Sequence, residues 1–212
     1  MADTKTLEAV QQALEASKSR NFKQSVDIAI NLKNIDLNIS KNRIDEEVIL
    51  PHGKGSESKI AIFATGQLAL NAKPHVDLLI STEDIEDFSD DKKAFKKVVE
   101  QHDFFVAEAP LMPTIGKTLG VVLGPRGKMP RPVPPQIDVS GIVENLRKTV
   151  RVRSKANMTF HVKVGMEDMD PKHLATNIDA VIKRVVSRLE RGQMNIGSVY
   201  VNTTMGPSIR LM

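Results

Sequence analysis

The sequence predicts an α/β protein of two domains, one split and one inserted, from two contrasting hydrophobic patterns in its 212 residues. Towards both ends, apolar residues alternate with polar ones, the period of strands with one buried and one wet face. In the middle, Ile60-Ala61-Ile62-Phe63-Ala64 is apolar throughout, as strands buried on both faces are. Neither outer segment alone holds enough strands and helices to close a core, so the two are expected to fold together with the middle segment as an insertion. The expected domains are residues 1–57 plus 154–212, a discontinuous α+β domain with an antiparallel sheet and helices, and residues 58–153, a Rossmann-like three-layer α/β/α domain.

Leu7, Val10 and Leu14 recur at helical spacing behind Asp3, an N-cap candidate, so a helix is expected over about residues 4–19. Val26, Ile28, Ile30 and Leu32 alternate with Asp27, Ala29, Asn31 and Lys33, which predicts a strand. A second strand over about 46–50 ends at Leu50-Pro51-His52-Gly53, and polar Lys54-Gly55-Ser56-Glu57-Ser58 marks the boundary. Beyond it, the apolar run at 60–64, Val76–Ile80, a helix bearing Phe95, Val98, Val99 and His102, and Phe104–Ala107 give the order of a right-handed parallel unit. Residues 110–124 read as a short helix and a turn. From Gly124 to Pro135 the prolines argue for a long exposed loop without regular structure, carrying Arg126, Lys128 and Arg131. A helix with Ile142, Val143 and Leu146 leads to Val150-Arg151-Val152, where the chain starts back.

Alternation resumes in Met158, Phe160, Val162 and Val164, with Thr159, His161 and Lys163 opposite. Asp170-Pro171 opens a helix whose apolar stripe runs through Leu174, Ile178, Val181, Ile182, Val185 and Leu189. In the last strand, Val199, Val201 and Thr203 share one face, and Ser198, Tyr200, Asn202 and Thr204 the other. It stops at Thr204-Met205-Gly206-Pro207, where Gly permits close backbone approach and Pro fixes the exit.

Composition narrows the function. No apolar run approaches a membrane span, and Met1–Lys5 lacks the layout of a signal peptide, so the expectation is a cytoplasmic protein. Without cysteine there are no disulfides or thiolate metal sites, and the five histidines show no ligand spacing. The net charge of +4 says less than its distribution. Glu83–Asp91 is an acidic run, whereas Lys117–Lys155 carries nine basic residues against Asp138 and Glu144, a region that would attract a polyanion.

Gly116-Lys117-Thr118 hints at a phosphate loop, but G-x-x-x-x-G-K-[ST] requires Gly at 111, where Leu111 stands. Gly124–Lys128 fails the same pattern, and no G-x-G-x-x-G or G-x-S-x-G occurs. No enzyme, metal or cofactor is expected. The rivals are a nucleotide-dependent enzyme using the inserted domain and a protein-interaction module.

RNA binding has better-placed material. Asp27 with Ser25, and Ser198 with Thr204, sit at wet strand ends, while Phe22 and Met205-Gly206 offer apolar and backbone contact. A carboxylate on such a surface suits acceptance from 2′-hydroxyls or guanine edges, leaving affinity to Lys23, Arg153, Lys155 and Lys163.

Four segments in order carry a resemblance: Asn21-Phe22-Lys23-Gln24-Ser25-Val26-Asp27, Leu50-Pro51-His52-Gly53, Leu123-Gly124-Pro125-Arg126-Gly127-Lys128-Met129-Pro130, and Ser198-Val199-Tyr200-Val201 through Thr204-Met205-Gly206-Pro207. Together they span residues 21–207, and the chain resembles the large-subunit ribosomal protein of the E-site stalk, the L-one family, in its archaeal/eukaryotic-like short form. The resemblance implies the split arrangement of domains. It also implies an RNA-contact surface built from Phe22, Ser25, Asp27, Arg153, Lys155, Ser198, Thr204, Met205 and Gly206, with Arg126, Lys128 and Arg131 as an auxiliary contact loop. Lys23 and Gln24 depart from the acid or Glu-Thr common in the family. Implied partners are large-subunit rRNA, exit-site tRNA and the protein's own messenger, which it would repress. A free monomer, a hinge at two crossings near Ser58 and Arg153, and assistance to release of deacylated tRNA complete the expectation.

Overall fold

The computed structural model describes residues 4–135 and 139–212; the Asp3 cap and Asp138 lie outside the described residues. The chain divides into two compact units, one of Met1–Ser56 with Lys148–Met212 and one of Glu57–Arg147. The return crossing therefore falls at Arg147/Lys148, earlier than the expected 153/154. The physical cause is pairing: β7 (Thr149–Arg153) hydrogen-bonds antiparallel to β2 (Asp45–Ile49), and Val150 and Val152 join the first unit's core.

In the first unit β1 (Ser25–Leu32), β8 (Thr159–Met166), β9 (Ile196–Thr203) and β10 (Ile209–Arg210) form an antiparallel sheet in the order β10-β9-β1-β8. Strict alternation decides its two faces. Val26, Ile28, Ile30, Val162, Val164, Val199 and Val201 are buried, and α1 (Thr4–Glu15) and α8 (Pro171–Arg188) contribute Val10, Ala13, Leu174, Ile178, Val181 and Val185 to the same core. Asp170 caps α8 by accepting from the Lys172 N–H, with Pro171 in the first turn. α1 ends at Glu15, short of the expected residue 19, and the chain from Ser17 onward serves the site below.

Asn177, fully buried on α8, explains the Leu50–Gly53 segment. Its amide oxygen accepts from the His52 N–H at 3.1 Å, and its nitrogen donates to Gly53 O and Val164 O at 2.8 and 2.9 Å. Gly53 turns there with φ +68°, a region costly for other residues.

The second unit is an all-parallel sheet in the order β4-β3-β5-β6, formed by β3 (Ile60–Phe63), β4 (Leu78–Ile80), β5 (Phe104–Glu108) and β6 (Arg131–Val133). The apolar run at β3 serves both faces. Ala61 and Phe63 pack with Ile85, Phe95, Ile115 and Leu123 from α3 (Thr82–Asp90), α4 (Lys92–Gln101), α5 (Met112–Thr118) and α6 (Gly120–Arg126). Ile60 and Ile62 pack instead with Leu68, Val143 and Leu146 from α2 (Gly66–Ala72) and α7 (Val139–Arg147), completing three layers. The acidic run is helical: Ser81 and Asp84 form a reciprocal capping box, and Asp91 caps α4.

Candidate nucleic-acid interface

β1 and β9 run antiparallel, and where they end a chain of hydroxyls reaches a carboxylate. Thr204 N–H donates to Ser25 O at 3.1 Å, and Ser25 N–H donates to Thr204 Oγ1 at 3.0 Å. Thr204 Oγ1 lies 3.0 Å from Ser25 Oγ, which donates to Asp27 Oδ2 at 2.9 Å. Since Ser25 spends its one proton on Asp27, Thr204 supplies the proton between the two hydroxyls. The carboxylate and the Thr204 hydroxyl are thus held in place at an accessible sheet end.

What holds this end is Gln24, which is buried. Its Oε1 accepts from the Met205 N–H at 3.1 Å, and its Nε2 donates to Ser17 Oγ and Lys18 O at 2.9 and 3.1 Å. Thr203, also buried, donates to Ser17 Oγ at 3.1 Å. A Cβ at Gly206 would collide with Thr203 Oγ1, so the turn closes only with Gly there. Phe22 and Met205, 50% and 60% exposed, belong to the two segments that Gln24 ties together, leaving two apolar groups uncovered beside the polar chain. Gln24 and Ser17 were not legible as site residues, because a buried amide that organises two loops has no periodic signature.

Ser198 is not in this cluster. It sits opposite Asn31, at the other end of β9, about 20 Å from Thr204 at strand rise. There Asn31 Nδ2 donates to Ser198 Oγ at 2.8 Å and Thr159 Oγ1 donates to Asn31 Oδ1 at 2.7 Å, a polar row across three strands. Arg153 pairs in register with Asp45 at the end of β7, and Lys155 follows it in the connection to β8. The sequence-predicted residues therefore mark two ends of one polar face, with Ala29, Tyr200 and His161 in register between them.

The cations are mostly engaged. Lys23 meets Asp168 at 2.7 Å, which raises the lysine pKa and holds the Asp168 carboxyl below its ordinary value through the same hydrogen bond. Lys163 donates to Ser56 Oγ at 3.0 Å, and Arg153 shares Asp45 with Arg151. Lys155 is exposed with φ +50°. Lys18 and Arg20, exposed on the segment pinned by Gln24, are further cations at the Thr204 end, without a periodic signature in the sequence.

Residues 14–207 match the model of the ribosomal protein L1p/L10e family. The chain belongs to that family. It is 51% identical over 213 residues to the large ribosomal subunit protein uL1 of Methanocella arvoryzae, with all of both chains covered. Against uL1 of Haloferax volcanii it is 48% identical over 211 residues, covering 100% of this chain and 99% of the relative. With uL1 of Thermoplasma acidophilum the identity is 50% over 203 residues, covering 96% and 94%.

In this L1p/L10e family member, the segment expected as an open loop is ordered. Gly124–Arg126 complete α6, Gly127 terminates it with φ +66°, and Arg131–Val133 pair with β5. Pro132 is tolerated because β6 is an edge strand, with no ladder on its outer side. Lys128 turns inward: its Nζ donates to Val99 O and His102 O, both at 2.7 Å, and burial lowers its pKa. Arg126 pairs with Glu100 at 3.1 Å. Both cations tie the loop to the end of α4, contrary to the expectation that prolines would keep them extended. Arg131 lies exposed on the edge strand.

Among the described residues, neither glycine-lysine segment forms a phosphate cradle. Gly116-Lys117-Thr118 lies inside α5, its amides committed to the helix, and Thr118 Oγ1 donates back to Thr114 O at 2.9 Å. At the strand-order reversal between β3 and β5, the usual ligand position of such sheets, the Glu108 carboxylate accepts from Thr65 N–H and Oγ1–H at 3.1 and 2.7 Å. An acid of the chain itself already occupies those donors. Among the described residues no group of three metal-ligating side chains occurs, and no helix is long and apolar enough to cross a membrane.

Proposed function

We propose that the first unit binds a folded element of large-subunit rRNA through the outer face of the β10-β9-β1-β8 sheet. The single observation that carries this reading is the Thr204–Ser25–Asp27 hydrogen-bond chain, pinned from behind by Gln24 and bordered by exposed Phe22 and Met205. A fixed carboxylate accepts from 2′-hydroxyls or guanine edges and reads RNA over DNA, the bare backbone at Gly206 admits close approach, and the apolar pair packs on sugar or base. Ser198, Asn31 and Thr159 extend the contact along the face. Lys18, Arg20 and Lys155 supply phosphate attraction near the two ends, with Arg153 sharing its charge with Asp45. Arg131 gives auxiliary phosphate contact; Arg126, paired with Glu100, and Lys128 instead secure the loop.

Family membership supports placing the protein in the large ribosomal subunit of the cytoplasm, as a non-enzymatic component of the mobile stalk beside the exit site that assists release of deacylated tRNA. The free protein is a monomer that represses its own messenger, because one shape-reading surface cannot distinguish two RNAs of the same shape.

Binding to a stalk rRNA fragment and to an unrelated hairpin, each across a salt series, tests the reading. Tight binding to the first with a modest slope is expected; equal binding to both, falling steeply with salt, overturns it. A leader transcript of the protein's own messenger that fails to compete with the rRNA fragment overturns the repression.

A further inference from the structure

The second unit carries a charged surface apart from the proposed sheet-face interface. α4 exposes Lys92, Lys93, Lys96 and Lys97 to solvent beside the buried stripe of Phe95 and Val99. No ion pair engages any of the four among the described residues. The one acid of this helix, Glu100, is taken by Arg126, so the exposed face keeps its full positive charge. Lys92 with Lys96, and Lys93 with Lys97, are like charges at i,i+4, an arrangement that weakens a helix.

We propose that this lysine face is a second RNA-binding surface, taking the phosphodiester backbone of a duplex without regard to sequence. The i,i+4 rows advance about 6 Å along the helix, comparable to the step between successive phosphates on a strand. Asp91 occupies the α4 amides through Lys93 N–H and Ala94 N–H, so the lysine ammonium groups alone make the contact. Glu83, Glu86, Asp87 and Asp90, exposed on adjacent α3, repel a polyanion and confine it to α4. The face shows no exposed large apolar side chain, unlike a helix that inserts into lipid. This surface stands whether or not the sheet face reads stalk rRNA.

The test titrates an unrelated RNA duplex into the full chain across a salt series. Replacing all four lysines by glutamine (K92Q, K93Q, K96Q, K97Q) is expected to weaken binding at least tenfold at low salt and to flatten the log–log salt slope by up to about 3.6, near 0.9 per phosphate contact. Glutamine retains helix propensity, so the fold is kept. Neutralising the α3 acids (E83Q, E86Q, D87N, D90N) is expected to tighten binding. A charge-matched control (K41Q, K73Q, K172Q, K183Q) is expected to cost much less. An equal loss in that control, or unchanged duplex binding in the α4 variant, overturns the proposal. So does loss of binding to phosphatidylserine vesicles with duplex binding intact. Stalk rRNA binding is expected to survive the α4 changes; its absence from the unaltered chain would sink the sheet-face reading and leave this one standing.

Discussion

Ser25 Oγ, at the start of β1, and Thr204 Oγ1, just past the end of β9, lie 3.0 Å apart although 179 positions separate them in the chain. Their contact is exposed, and it delivers a proton towards Asp27 rather than into a core. Thr204→Val keeps the shape and removes the hydroxyl. Affinity for the stalk rRNA fragment is expected to fall about three- to tenfold, the worth of one hydrogen bond, with under about 1 kcal/mol lost in stability because water replaces the acceptor of the Ser25 N–H. Parallel binding and denaturant titrations check this; a large stability loss with unchanged affinity would make Thr204 purely structural.

Gln24 satisfies one N–H, one hydroxyl and one carbonyl from within a buried site. Gln24→Ala leaves them unpaired and is expected to cost about 1–3 kcal/mol, seen as a lower denaturant midpoint at constant slope, together with weaker rRNA binding as the Met205 turn loosens. A midpoint equal to that of the unaltered chain would refute the anchoring role.

Gly206→Ala places a methyl group on Thr203 Oγ1. The expected loss is about 1–3 kcal/mol, and Thr203→Ala in the same chain should return part of it by removing the colliding atom. A double-mutant cycle measures the coupling; additive losses would mean that the clash is relieved elsewhere.

Lys23 hydrogen-bonds Asp168 and lowers its pKa below the ordinary 3.8. A carboxyl with a depressed folded pKa contributes stability above its unfolded value and loses it as pH falls through the folded pKa. Lys23→Met is expected to return the Asp168 titration towards 3.8, read by carboxyl NMR, while the midpoint at neutral pH barely moves because both groups are at the surface. An unmoved titration would disconnect the pair.

The first unit as bounded by the pairing, 1–56 joined through a short Gly linker to 148–212, is expected to unfold in one cooperative transition. A chain joining 1–57 to 154–212 lacks β7, leaving β2 unpaired and Val48 and Leu50 without Val150 and Val152, and is expected to melt lower. Equal midpoints would place β7 outside the cooperative unit.

Local periodicity predicts most of these elements because burial writes it directly. Alternation in Val26–Leu32 and Val199–Thr203, and the stripe of α8 behind Asp170-Pro171, need no partner to be read. The 124–135 segment departs from the expected loop for the opposite reason. Proline forbids a central strand yet is compatible with an edge, and which strand lies at an edge is a property of the sheet. Lys128 likewise looked like an exposed cation until the end of α4 brought two carbonyls to its ammonium.

The two patterns of strands and the split of the first unit are legible along the chain, since each depends on neighbours close in sequence. Tertiary structure alone decided that β7 belongs with β2, that Ser198 stands at the far end of the face from Thr204, and that Gln24 is the anchor beneath Met205. Those facts depend on register and on hydrogen bonds between segments up to 181 positions apart. A buried amide or an edge strand leaves no local period, because its partner is chosen by the fold.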